Sequence, residues 1–306
     1  MKDESKRTAD SPMDPAPRPR RDIVVPAADG LLLRGTLFRP AKHPGEIRGV
    51  ITIHPNAGVT GEAYADMARH LADRGYAVVT YANRGTGRSG LEADIRNEDI
   101  RMSDWITVDV PGVLEWARES FPGLPAYAIG HGVGGHGVLW AGSEGTVDAA
   151  VLVGCGQRNI GNVPGWLNKA KTFALFTVIC PVTATLFGRI PRQPLGFVEE
   201  PPVGVVRQWA SWTRRRDYFF GDPEFDFGAR YARANGRYLL VRVPGDKWCD
   251  EEGTTSLVKR LYAAEVEQRE LTPASGAGLG HRGLAHAGNE ATWDELLTWL
   301  EGDAAA

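Results

Sequence analysis

Between Leu124 and Gly137 an apolar run of strand length passes directly into an eight-residue segment, Gly130–Gly137, in which five residues are glycine. A chain that leaves a strand in this way makes a sharp turn where neighbouring backbones approach closer than a Cβ allows. From Asp22 onward the chain alternates apolar runs with amphipathic stretches. Gly49–His54, Tyr76–Tyr81, Leu124–Ile129, Val147–Val153, Tyr238–Val243 and Val266–Leu271 read as strands. Continuous runs such as GVITIH at Gly49–His54 suit strands covered on both faces. Tyr64, Met67 and Leu71 recur at helical spacing, with Gly75 where that helix stops. Trp105–Phe121, with a kink or break expected at Pro111, Ser256–Ala264 and Trp293–Leu300 are the other helical stretches. Asp22–Pro26 and Leu31–Phe38 flank the turn Ala28-Asp29-Gly30 and predict an antiparallel hairpin. The pattern predicts an α/β fold, a mostly parallel sheet with helices on both faces and an antiparallel edge.

Residues 1–21 are charged and proline-rich with little to bury, and are expected to be a disordered tail. Residues 22–155 and 236–306 then form the two parts of one core, and 156–235, a long stretch without strand patterning, an inserted cap. Its most apolar part, Thr172–Gly188, is slightly short for a membrane span and carries Pro181 near its middle. A buried or pocket-lining segment is therefore expected there, with a membrane-associated one as the alternative, and no transmembrane segment. A net charge of −3 gives no reason to expect nucleic acid or an anionic membrane as partner. Three widely spaced cysteines, Cys155, Cys180 and Cys249, and an N-terminus without an apolar h-region point to the cytoplasm. No metal-ligand spacing accompanies the histidines, and no cofactor is implied.

The sequence Gly130-His131-Gly132-Val133-Gly134 has the layout of a nucleophile elbow, G-x-S-x-G, with glycine at the centre. Gly130, Gly132 and Gly135 also satisfy G-x-G-x-x-G, but a dinucleotide fingerprint follows the first strand of its fold and has an acidic residue at the end of the next. Here at least four strands come first, and Asp148 lies inside the run leading into the next strand. Nucleotide binding is the weaker reading.

Several further stretches carry a family resemblance. Tyr81-Ala82-Asn83-Arg84-Gly85-Thr86-Gly87-Arg88-Ser89, Trp105 with Asp109, Gln208-Trp209-Ala210-Ser211-Trp212 and Asp217-Tyr218-Phe219-Phe220-Gly221-Asp222-Pro223 occur in the order seen in a bacterial group of the α/β-hydrolase superfamily. That group has a W-x-x-W cap motif and a Y-x-F-x-D-P ending, and the chain resembles it from about Leu31 to Leu300. Two departures stand out: Gly132 where the nucleophilic serine is expected, and Ala82 where an aspartate is usual. The first removes the group that would form an acyl-enzyme.

The resemblance implies the remaining site residues. Asp246, directly after the Tyr238–Val243 strand, matches the family acid, with Asp250 as the fallback. His281 in Leu279-Gly280-His281-Arg282-Gly283 matches the histidine, and His286 is read as solvent-facing. The oxyanion hole is expected from the backbone amides of Asn56 and Val133. His54, His131 and Trp248 are candidate pocket residues, although His54 at a strand end also suits a structural role. The cap aromatics pack it onto the sheet and in part line a pocket for a small hydrophobic molecule. Arg214–Arg216 read as a solvated face.

The expected function is a serine-less enzyme whose Asp246–His281 dyad acts on a small carbonyl or ester substrate, by activated water or by proton transfer (elimination, cyclisation or isomerisation). The alternatives are a binding protein that has lost turnover and an esterase whose serine was replaced at 132. Nothing in the sequence fixes the oligomeric state.

Overall fold

The computed structural model describes residues 19–41, 46–157, 159–163, 165–246, 249–271, 283–285 and 288–302. Trp248, His281 and His286 lie outside them. Eight strands form one sheet: β1 (Arg20–Pro26), β2 (Leu32–Phe38), β3 (Gly49–His54), β4 (Tyr76–Tyr81), β5 (Ala126–His131), β6 (Ala149–Val153), β7 (Gly236–Arg242) and β8 (Ala264–Glu270). Their order is β1-β2-β4-β3-β5-β6-β7-β8. The β1/β2 and β2/β4 pairs are antiparallel and all others parallel. The alternating pattern predicts this mostly parallel sheet with an antiparallel edge, and the topology is that of the α/β-hydrolase fold implied by the resemblance.

The helices are α1 (Ala65–Asp73), α2 (Met102–Asp104), α3 (Val110–Ser120), α4 (Val133–Ala141), α5 (Trp166–Ala174), α6 (Cys180–Phe187), α7 (Arg192–Leu195), α8 (Val203–Arg214), α9 (Phe227–Ala232), α10 (Glu251–Val258) and α11 (Glu290–Glu301). On one face of the sheet, α1 and α11 cover Ile51, Ile53, Val151 and Val153 with Met67, Leu71, Trp293 and Leu297. On the other, Trp105, Ile106, Val110 and Leu139 pack with Ala128, Ala150 and Leu152. Both faces are closed, which is why β3 and β4 are buried along their whole lengths.

Three expectations shift. The first strand starts at Arg20, two residues inside the expected tail, because Arg20 and Arg21 continue the β2 register opposite Phe38 and Leu37. Helix α10 begins at Glu251 and ends at Val258, not Ser256–Ala264, because Asp250 caps it through the Gly253 amide (2.8 Å) and Ala264 already belongs to β8. Pro111 breaks nothing: a π-helical turn, Trp105–Asp109, immediately precedes α3 and carries the helix past the proline. A second π turn, Leu175–Ile179, does the same before Pro181, joining α5 and α6 into one helix from Trp166 to Phe187.

The family-like stretches hold the frame. Arg84 is clamped by the fully buried Asp109, which accepts from Nε at 2.6 Å and from the Arg84 backbone amide at 2.8 Å. Asp29 from the β1–β2 turn holds the other end of the guanidinium at 2.8 Å, and the Trp105 indole donates to the Arg84 carbonyl at 3.0 Å. Removing one partner strands a charge in low dielectric. Asp109→Ala is expected to lose about 3–5 kcal/mol of stability, measured by urea denaturation; a loss below about 1 kcal/mol would show that this clamp is peripheral.

Candidate functional site

The parallel strands β3, β5, β6 and β7 end along one edge of the sheet, the side on which open α/β folds bind ligands. At that edge β5 turns into α4 through Gly132, whose φ of 50° and ψ of −115° suit glycine far better than any L-residue. The turn is held by glycine contacts. A Cβ on Gly130 would come within 2.4 Å of the Gly135 Cα, and one on Gly134 within 2.4 Å of the His54 carbonyl oxygen. These contacts let α4 start directly above the strand, with its first amides turned to the site.

Asn56 occupies the space in front of Gly132. Its Oδ1 accepts a hydrogen bond from the Val133 amide at 3.2 Å, and a Cβ on Gly132 would lie 2.0 Å from that same Oδ1. The Asn56 backbone amide donates to the Tyr64 hydroxyl at 3.3 Å. Both amides expected to form an oxyanion hole are therefore engaged within the protein, one with a carboxamide oxygen and the other with a phenol. The Tyr64 hydroxyl also bonds His131 Nδ1 at 2.7 Å. Tyr64 and His131 are fully buried, and burial raises the Tyr64 pKa.

His54 and His136 are committed to the fold. His54 is fully buried. Because the Thr52 hydroxyl donates to the Tyr127 carbonyl (3.4 Å), it accepts from His54 Nε2–H (2.8 Å), and the Tyr81 hydroxyl donates to Nδ1 (3.0 Å). Burial holds the His54 pKa down to about 3. His136, on α4, bonds the Gly156 carbonyl through Nε2 at 3.1 Å, with the Tyr231 hydroxyl 3.2 Å from Nδ1, and burial holds it to about 4. The expected pocket roles of His54 and His131 give way to buried structural ones: strand ends sealed by helices leave their rings no open face.

Asp246 stands in the turn after β7, its amide bonded to the Val243 carbonyl (3.0 Å) and its Oδ1 accepting from the Cys249 amide (3.3 Å). Asp250 is the α10 cap, so its carboxylate has a structural task. The short turn Gly283–Ala285, just after the His281 segment, is fixed by the Trp293 indole, which donates to the buried Leu284 carbonyl at 2.8 Å.

Residues 154–235, between β6 and β7, contain helices and no strand among the described residues. They reach back to the site. Phe197 is seated so closely on Gly58 that a Cβ there would meet its ring at 2.2 Å, and the Val198 amide donates to the Gly58 carbonyl at 2.8 Å. Glu199 accepts from the Gly87 amide at 2.8 Å, its pKa raised by burial. The W-x-x-W pair anchors this insertion: Trp209 stacks on Phe197, while buried Trp212 donates to Asp222 Oδ2 at 2.5 Å. Tyr218 has a φ of 54°, the one positive value outside glycine among the described residues, and is enclosed by Trp212 and Phe219.

A family model described as serine aminopeptidase, S33 (Hydrolase_4), matches residues 45–185. The structure of DcsB in complex with its substrate analogue aligns with a TM-score of 0.62 at 13% identity, over 92% of this chain and 99% of that one. A highly thermostable carboxyl esterase from Bacillus coagulans, in complex with glycerol, aligns at 0.60 and 11%, over 94% and 99%. A Pyrococcus furiosus esterase aligns at 0.59 and 15%, over 92% and 90%. The family match spans a little under half of the chain, and the chain has the fold of the α/β hydrolases. No curated protein matches it. At these identities the structural likeness shows the fold.

The sequence points to the position of Gly132 in this fold but not to the side chain that fills the space before it. It points to Asn56 only through its backbone amide and to Tyr64 only as a helix-face residue. The one available signal was an asparagine directly after the His54-Pro55 end of a buried strand.

Two tests follow from this geometry. Gly132→Ala is expected to cost about 1–3 kcal/mol in urea denaturation. With Asn56→Gly, the double-mutant cycle is expected to show coupling of about 0.5 kcal/mol or more, whereas additivity would mean that Asn56 does not fill the space. His54 and His136, held below 6.5, bind protons in the unfolded chain before they do in the folded one. Their stability contribution is full above pH 6.5 and is lost as pH falls toward their folded values, with a slope up to about 1.4 kcal/mol per pH unit for each. His136→Phe is expected to flatten that slope, measured by urea denaturation across the window; an unchanged slope would contradict the assignment.

Proposed function

We propose that this protein is a serine-less enzyme that acts on a small, apolar carbonyl or ester compound without forming an acyl-enzyme. The observation that carries the reading is the pair at the turn. Position 132 offers no nucleophile, while the Val133 amide already holds a carbonyl-type oxygen, that of the Asn56 carboxamide. A substrate carbonyl is chemically similar to that carboxamide and takes its place on Val133 N–H. Asp246 and His281 form the acid–base pair. The carboxylate orients the imidazole and stabilises its protonated form, and the free ring nitrogen accepts a proton from water or from the substrate. With water the outcome is hydrolysis; with a substrate C–H or X–H it is elimination, cyclisation or isomerisation. The insertion over Gly58 and Gly87 acts as a cap and supplies apolar surroundings that strengthen the few polar contacts. This chemistry fits the cytoplasm and requires no cofactor.

One observation favours a second reading. Of the two amides expected to form an oxyanion hole, that of Asn56 is engaged with Tyr64, which leaves that of Val133 for a ligand to win by displacement. Such a site binds carbonyl compounds more readily than it stabilises an oxyanion, as a non-catalytic binding protein would require.

Short p-nitrophenyl esters separate the readings. The chain as it stands is expected to turn them over slowly, without a burst of nitrophenol, and to lose at least tenfold in rate with His281→Ala or Asp246→Asn. Binding without turnover supports the binding protein. Gly132→Ser alone is expected to remain inactive because Asn56 occupies its side-chain space, and Gly132→Ser with Asn56→Gly is the variant expected to acquire burst kinetics. Efficient esterase activity from Gly132→Ser alone would make the glycine the only lesion in an ordinary hydrolase.

A further inference from the structure

The helix running from Trp166 to Phe187 is long and apolar enough by length and composition to cross a membrane, yet only 22% of its most apolar window is buried. Its buried stripe is narrow: Phe176, Cys180 and Ala184 pack on Val203, Val206 and Ala210, mainly from α8. Elsewhere it exposes Trp166 (77%), Leu186 (69%), Phe187 (63%), Leu167, Phe173 and Val182. The expectation of a buried segment is therefore met along one stripe only. A helix bound to its own protein along one side cannot be surrounded by lipid, but its free side can lie in a bilayer surface.

Charge selects the partner. No acidic residue occurs in the 50 residues from Ala149 to Val198, which contain Arg158, Lys169, Lys171, Arg189 and Arg192. Lys169 and Lys171 are exposed on the first turns of the helix; just beyond its end Arg189 is exposed but ion-paired with Glu200, and exposed Arg192 bonds the Val198 carbonyl and is the cation on that side. The overall charge of −3 hides this segregation. Apolar side chains flanked at both ends by cations match an anionic phospholipid surface, whereas a second copy of the same face would bring like charges together.

We propose that the Trp166–Phe187 helix docks this protein in-plane on anionic lipid bilayers, its exposed apolar side chains entering the headgroup boundary and Lys169 and Lys171 meeting lipid phosphates. The inference goes beyond the chemistry at Gly132 and uses none of its residues, so either can fail alone.

Co-sedimentation of the full chain with phosphatidylcholine vesicles, with and without phosphatidylglycerol, tests it. The protein is expected to bind the anionic vesicles at least tenfold more tightly. Trp166→Ser, Leu186→Ser and Phe187→Ser together should weaken binding at least tenfold with unchanged circular dichroism, because all three side chains are exposed. Lys169→Glu with Lys171→Glu should lower affinity for the anionic vesicles by roughly fivefold per lysine or more. Absence of vesicle binding overturns the proposal, as does binding that the helix variants leave intact. Light scattering covers the rival occupant: dimerisation abolished by the same serine substitutions, without vesicle binding, also overturns it.

Discussion

The close approach of the Gly130–Gly137 turn to β3 is the constraint on which the rest of the site depends. Gly134 against the His54 carbonyl and Gly130 against Gly135 leave no room for a Cβ, so the strand-to-helix connection is as short as a chain can make it. That tightness puts Val133 N–H at the mouth of the sheet and brings Asn56, two residues past β3, within hydrogen-bond range of it. Without a side chain at 132, the carboxamide fills the gap. The glycine and the asparagine are thus two halves of one packing solution.

A second frame surrounds it. Arg84, held by Asp109 and Asp29, ties the loop after β4 to the helical segment at Trp105 and to the β1–β2 turn. The insertion then closes on both loops, through Phe197 on Gly58 and Glu199 on Gly87. The loop that carries Asn56 is consequently held from below by Tyr64 and from above by the insertion. A ligand that moves the carboxamide does so against this support, which favours rotation of the side chain over movement of the loop.

Much of this was legible in the sequence where burial is two-sided. The bounds of β3 and β4 agree with the apolar runs, because a strand covered on both faces is buried throughout, its few polar residues Thr52, His54 and Thr80 included. Sequence patterning is ambiguous where one residue can serve two structures. Ser256–Ala264 looked helical throughout, yet Ala264 joins the exposed edge strand β8 and Asp250 starts the helix earlier. Apolarity in Thr172–Gly188 was evident, but hydropathy does not say which face meets the protein, and only Phe176, Cys180 and Ala184 do so closely. At the site, the position of Gly132 followed from its glycine neighbours. The use of Asn56 did not, because main-chain donors are indifferent to side-chain identity and the contact spans 77 residues.

The central claim is that Val133 N–H is a carbonyl anchor held by Asn56 until a ligand replaces it. Nitrogen-15 NMR tests this most directly, by following the Val133 backbone amide and the Asn56 side-chain amide during titration with a small apolar ketone. The account predicts that both resonances move together, in the same concentration range, and that Asn56→Gly tightens binding by removing the competitor. A ketone that binds while both signals stay fixed would show that the ligand site lies elsewhere and would contradict the account.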